Sequence, residues 1–189
     1  RMALKTKVKA GNITNLSDAR YCAGMGVDWL GFPASGIDPK TFEEITQWVS
    51  GPQFLIEVTS APIRVEDYGT PLLQVQFSRM EEFKNHQLLV ELPLHQWNEA
   101  KPSLIAQRSR IQTLLITNWT NHVDELPALL NEMTHHFQVL LNYEAGQLSL
   151  ESILGFPITG INLSGKQELK PGLQDFTELA TVLEELEID

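Results

Sequence analysis

Cysteine is almost absent from this chain. Cys22 is the single one among 189 residues. One thiol excludes an internal disulfide, and no Cys/His set has zinc spacing, so no metal is expected. Positive charge is scarce too: Lys and Arg total 14 against 24 Asp and Glu, a net charge of −10. An acidic chain repels phosphate backbones unless its basic residues cluster. Here they are scattered, and the one local excess, Lys5, Lys7 and Lys9, lies along an expected strand. Nucleic acid is therefore excluded as a partner. No apolar run approaches the roughly 20 residues of a membrane-spanning helix, and no signal-peptide core opens the chain. No membrane contact and a cytoplasmic location are the expectations. His95, His135 and His136 read as solvated loop histidines. Arg1 before Met2 reads as an expression scar.

What is present is ordinary for a globular protein: 42% apolar and 20% charged residues. The length suits one domain over 1–189 with a sizeable core. Eight short apolar runs are bounded by turn residues: Lys7–Ala10, Trp29–Phe32, Phe54–Val58, Leu72–Phe77, Leu88–Leu92, Thr113–Thr117, Gln138–Leu141 and Gly160–Leu163. Near-continuous Val/Ile/Leu runs are the signature of buried parallel strands. Helical patterns lie between them. Asn15 or Ser17 caps a first helix with Ala19, Cys22 and Ala23 on one face. Asp38-Pro39 is a cap followed by proline at the first helical position. Phe42, Ile45, Trp48 and Val49 then form an apolar stripe that Gly51 stops. Val123–Met133 and Phe176–Leu186 repeat the pattern. The intervals Thr59–Pro71 and Ser78–Gln87 are short and predict irregular connections or single turns. Strand–helix alternation implies a parallel sheet with helices outside. A closed (β/α)₈ barrel and an open doubly wound sheet both satisfy that pattern.

Val8–Arg20 reads V-K-A-G-N-I-T-N-L-S-D-A-R. This resembles the opening motif of the phosphoribosylanthranilate isomerase family, V-K-I-C-G-I-T-N-x-x-D-A-R. Val8, Lys9, Ile13, Thr14, Asn15, Leu16, Asp18, Ala19 and Arg20 fit it. Gly31-Phe32 matches the family's G-F at the end of the second strand, although the S-P-R-x substrate loop that follows there is shortened to Pro33–Ile37. Val75-Gln76 resembles V-Q-L-H-G, with Ser78 and Arg79 in place of its histidine and glycine. Gly160–Phe176 is similar to G-V-D-V-S-S-G-V-E-x-x-P-G-x-K-D, sharing Ser164, Gly165, Pro171, Gly172 and Asp175, with Asn162 where the family has aspartate. The resemblance implies a single compact (β/α)₈ TIM barrel in which some helices are short or missing.

The family's activity is an Amadori rearrangement of an aminoaldose to an aminoketose. The resemblance implies a cysteine base at the end of the first strand and an aspartate acid at the end of the sixth. Here the base position is Gly11 and the acid position is Thr117, with Asn118 next. Neither Gly11 nor Thr117 ionises usefully near neutral pH. Each lost group costs about 10²–10⁴-fold, so the isomerase activity is expected to be gone. Cys22 sits inside the first helix on its apolar face and reads as a small core residue. The resemblance also implies a phosphate held by backbone amides of the loops after strands seven and eight. Ser164 and Gly165, with Lys166 alongside, keep the eighth-strand half. The alternative for them is a cap that ends the strand and starts a helix. The seventh loop, Leu141–Gly146, carries Glu144 where the family has glycine, which opposes an anion.

Function in this fold sits at the C-terminal ends of the strands. The residues there are Asn12, Glu57, Gln76, Glu91, Asn118, Asn142 and Ser164. Most are amides or hydroxyls and the charged ones are acidic. Carboxylates in buried strands are costly unless paired or near water. Glu57 and Glu91 therefore either converge at the barrel mouth or point outward beneath thin helices. Such a mouth suits a small polar metabolite, neutral or cationic, and no cofactor is implied. Three classes stay open: a small-molecule-binding protein or an enzyme of different reaction, an active isomerase of tryptophan biosynthesis using substitute residues, and a non-catalytic protein-interaction module. Oligomeric state is not legible.

Overall fold

Each of the eight apolar runs forms a strand within two residues of its expected limits. They are β1 Lys7–Gly11, β2 Trp29–Pro33, β3 Gln53–Glu57, β4 Leu72–Gln76, β5 Leu88–Pro93, β6 Ile111–Thr117, β7 Val139–Asn142 and β8 Gly160–Ser164. They follow one another in hydrogen-bonded order and close into a barrel. This resolves the choice between barrel and open sheet: the fold is a compact (β/α)₈ barrel. The computed structural model describes residues 3–60, 63–69, 71–170 and 173–188, and for 166–170 and 173–175 the backbone alone. Arg1, Pro171, Gly172 and the side chains of Lys166 and Asp175 lie outside the described residues.

Contacts divide the chain into two compact units, Arg1–Leu72 with Leu163–Asp189, and Leu73–Asn162. In the first, α1 spans Leu16–Met25 and begins where the side chain of Asn15 accepts the backbone N–H of Asp18 at 2.8 Å. Asn15, rather than Ser17, is the cap. Cys22 is fully buried, and burial with the Asp18 charge pushes its thiol up to about 12, so it is a packing residue. Helix α2 spans Pro39–Thr46, with Asp38 accepting from the N–H of Thr41 at 2.8 Å. Here the apolar stripe overreaches. The last helical bond runs from Gln47 N–H to Glu43 O, so Trp48 falls beyond the helix and is 71% exposed. The 59–71 and 78–87 intervals hold the short 3₁₀ turns Val65–Tyr68 and Phe77–Phe83, in keeping with their weak patterns. A hairpin follows β8: β9 Lys166–Lys170 pairs antiparallel with β10 Leu173–Asp175. The helix start considered for Ser164-Gly165 is therefore replaced by a strand. The last helix of this unit, Thr177–Leu186, buries Leu179, Val182, Leu183 and Leu186.

In the second unit, α3 spans Trp97–Ala106 and buries Trp97, Ala100 and Leu104. Their spacing, i, i+3, i+7, is helical, but Pro102 inside the segment removes a helical N–H and reads against a helix. Helix α4 spans Leu126–Met133, and α5 is the short Leu150–Leu154; the helix after β10 is α6.

Register sorts the strand residues into two faces. In the second unit Val75, Val90, Leu114 and Val139 are joined by successive pairings, as are Leu92, Ile116, Leu141 and Ile161. That face is purely aliphatic. The opposite face carries Gln74, Gln76, Glu91, Thr113, Thr117, Asn142 and Asn162. In the first unit Lys9, Gly11, Gly31 and Glu57 share a face by the same alternation. The strands are thus not uniformly apolar. One face packs and the other holds the polar chemistry. Among the described residues, no helix is long and apolar enough to cross a membrane.

Candidate functional site

Lysine at position 9 enters a strand whose neighbours are Val8 and Ala10, all three fully buried. A buried ammonium needs a counter-charge. Its Nζ meets Glu57 Oε2 at 2.7 Å, 48 residues away in sequence, with the two side chains 1% and 14% exposed. The pair spans from β1 to β3 across β2. It can do so because β2 presents Gly31 between them. A Cβ at Gly31 would stand 2.6 Å from Glu57 Oε2 and 3.0 Å from Lys9 Cε. Gly11 meets the same constraint. A Cβ there would collide with Glu57 Oε2 and stand 2.8 Å from Lys9 Nζ and 3.1 Å from Ser164 Oγ. The space above position 11 is filled by an ion pair.

The rest of this cluster is tied to the same groups. The Asn12 N–H donates to Glu57 Oε1 at 2.9 Å, so both carboxylate oxygens are engaged. Asn12 Nδ2 donates to Gly165 O at 3.0 Å, and the Gly165 N–H donates to Gly11 O at 3.3 Å. That amide therefore closes β8 against β1. Asn12 adopts φ 57°, the left-handed region that asparagine tolerates better than most residues. Its identity is accounted for by backbone shape and the side-chain bond to Gly165 O. Gly11, Asn12, Glu57, Ser164 and Gly165 are thus brought together, with Lys9 at the centre.

In the second unit a cavity of about 330 Å³ opens at the C-terminal ends of β4, β5 and β6. Gln76, Glu91, Thr117 and Asn118 line it. Their convergence decides where Glu91 points: into the cavity rather than outward. Phe77, Ser78, Pro93 and Gln96 complete the wall. No lysine, arginine or histidine lines it, so its charge is that of Glu91. Asn118, like Asn12, follows a strand end with positive φ, 51°. Glu91 Oε1 accepts from Gln74 Nε2 at 2.5 Å, and Gln74 is 6% exposed. The cavity is at the small end of ligand sites, which run roughly 300–1,000 Å³.

Asn142 stands apart from this lining. Its Nδ2 donates to Glu144 Oε1 at 2.8 Å and its Oδ1 accepts from Asn162 Nδ2 at 2.8 Å. Its carbonyl accepts from Trp119 Nε1 at 2.7 Å. These bonds fasten the end of β7. The sequence reading missed Lys9 as a site residue and missed Gln74, Phe77, Pro93 and Gln96 altogether. The available signal was period-two polarity, Gln74-x-Gln76 and Glu91-x-Pro93, which marks one strand face. Among the described residues no three His, Cys, Asp or Glu side chains group to hold a metal.

Solved structures share this architecture. Phosphoribosyl anthranilate isomerase from Thermus thermophilus superposes with a TM-score of 0.66 at 18% identity, covering 95% of this chain and 98% of its own. TrpF from Jonesia denitrificans gives 0.64 at 18%, covering 94% and 95%. A truncated 3-deoxy-D-arabino-heptulosonate 7-phosphate synthase from Thermotoga maritima gives 0.62 at 14%, covering 95% and 84%. The likeness is one of fold. No protein-family model matches the sequence, and no curated protein matches it. Because a synthase and isomerases superpose about equally well, the chemistry must be argued from the site.

Proposed function

We propose that this protein is a divergent barrel of the phosphoribosylanthranilate isomerase type that has lost the Amadori rearrangement and binds a small polar metabolite. The ligand is neutral or cationic, rich in hydroxyl groups, and seated in the cavity at the ends of β4, β5 and β6. The observation that carries this reading is the Lys9–Glu57 pair. It fills the space a side chain at Gly11 would need, the position where the resemblance puts the catalytic base. Three further features support it. Thr117, at the acid position, has no useful ionisation. The Gly165 N–H is bonded to Gly11 O rather than presented to a ligand. The backbone after Ser164 continues into β9, so no helix N-terminus faces an anion there.

A second reading keeps the isomerase and makes Glu57 the substitute base. Its carboxylate lies beside the position of the missing cysteine. Against it, both oxygens are occupied, one by Lys9 Nζ and one by the Asn12 N–H. Each oxygen keeps a second lone pair, so the objection is that a proton taken up there must compete with the Lys9 ion pair.

Binding distinguishes a retained phosphate site from the cavity. Calorimetry with ribose 5-phosphate and with free ribose is expected to show no gain from the phosphate. Micromolar binding of the phosphate ester that is lost in Ser164→Asp would overturn the proposal and restore the inherited site.

A further inference from the structure

The cavity at the ends of β4, β5 and β6 is unbalanced. The imbalance is one of charge: Glu91 is the one ionisable group of the lining. Glu91 offers two carboxylate oxygens, of which Oε1 takes the Gln74 amide, and no described group satisfies Oε2. Gln74 is itself buried and stands behind the lining rather than in it. Turning the amide over would set its oxygen against the Glu91 carboxylate, so the orientation is fixed by charge. Among the described residues the wall includes no cation. Phe77 adds a half-buried aromatic ring, a surface that also attracts positive charge.

We infer that the ligand carries a primary ammonium group, seated against Glu91 at the floor of this cavity. An ammonium brings three donors and one positive charge. It balances the one carboxylate of the lining. The hydroxyl-bearing part of the ligand then meets Gln76, Thr117, Asn118 and Ser78, each able to donate and accept. This inference rests on the cavity being a ligand site, and it narrows that site to one chemical class.

The test pairs amines with their alcohols: 2-aminopropane-1,3-diol with glycerol, glucosamine with glucose, and 1,4-diaminobutane with butane-1,4-diol. Each is titrated calorimetrically at low salt into the full chain, into Glu91→Gln and into Gln76→Arg. At least one amine is expected to bind about tenfold or more tightly than its alcohol, the size of a charge-assisted hydrogen bond. That preference should vanish in Glu91→Gln, and Gln76→Arg, a change at an exposed position, should abolish amine binding by placing a cation in the cavity. Equal binding of amine and alcohol, or a preference that survives both substitutions, would overturn the ammonium assignment and leave the cavity as a site for neutral ligands. No binding by any of the six would overturn the assignment and the cavity's ligand role together.

Discussion

Lys9 is the residue on which the account turns. In sequence it is one of three lysines along a strand, and Glu57 is a stray carboxylate inside F-L-I-E-V-T. Their pairing depends on the β1–β2–β3 register and on Gly31 leaving the path open, neither of which is visible 48 residues apart. Gly11 was legible as the wrong residue for a base, but the ion pair that occupies the space above it was not. Lys9→Met is expected to lower stability by about 3 kcal/mol, because removing one partner strands the other charge in a buried site. Glu57 keeps some contact with water, which holds the loss near the lower end of that range. Replacing both, as Lys9→Met with Glu57→Leu, should recover most of it, since apolar side chains often substitute for a buried pair without penalty. Urea denaturation of the parent and the two variants checks this. A Lys9→Met protein as stable as the parent would show that the pair is not what occupies the site.

At the scale of elements, position was legible and polarity was not. Buried strands announce themselves as Val/Ile/Leu runs, so all eight were placed. What the runs conceal is that Gln74, Glu91 and Thr113 alternate out of the aliphatic face onto the polar one. Helix α1 was readable because Asn15 precedes the apolar stripe at capping distance, and its side chain does accept the Asp18 N–H. Helix α3 was hidden by Pro102, and the stripe through Trp48 overran α2, because periodicity does not show where hydrogen bonding ends. The β9–β10 hairpin had no signal in the sequence, where Ser164-Gly165 read equally as a helix start. Asn15→Ala should therefore destabilise the protein by about 1 kcal/mol, the usual worth of a cap, and Asn15→Ser, which keeps a capping oxygen without setting a second carboxylate against Asp18, should recover most of it. Thermal melts of both variants decide it. Equal losses would show that the asparagine acts elsewhere than at the helix terminus.

At the scale of the whole molecule, a net charge of −10 and a cavity whose lining charge is one glutamate both disfavour a doubly charged phosphate ester. The barrel was recoverable from strand–helix alternation only with the help of two terminal motifs, because that alternation fits an open sheet equally well. Its function was not recoverable from those motifs, since they carry the scaffold while Gly11 and Thr117 stand where its chemistry is expected. The most direct measurement is steady-state turnover of phosphoribosylanthranilate by the purified chain. The account predicts no rate above the uncatalysed background, in the parent and in Glu57→Gln alike. A kcat/KM in the enzymatic range of about 10⁴–10⁸ M⁻¹s⁻¹, abolished by Glu57→Gln, would contradict it and make that carboxylate the base.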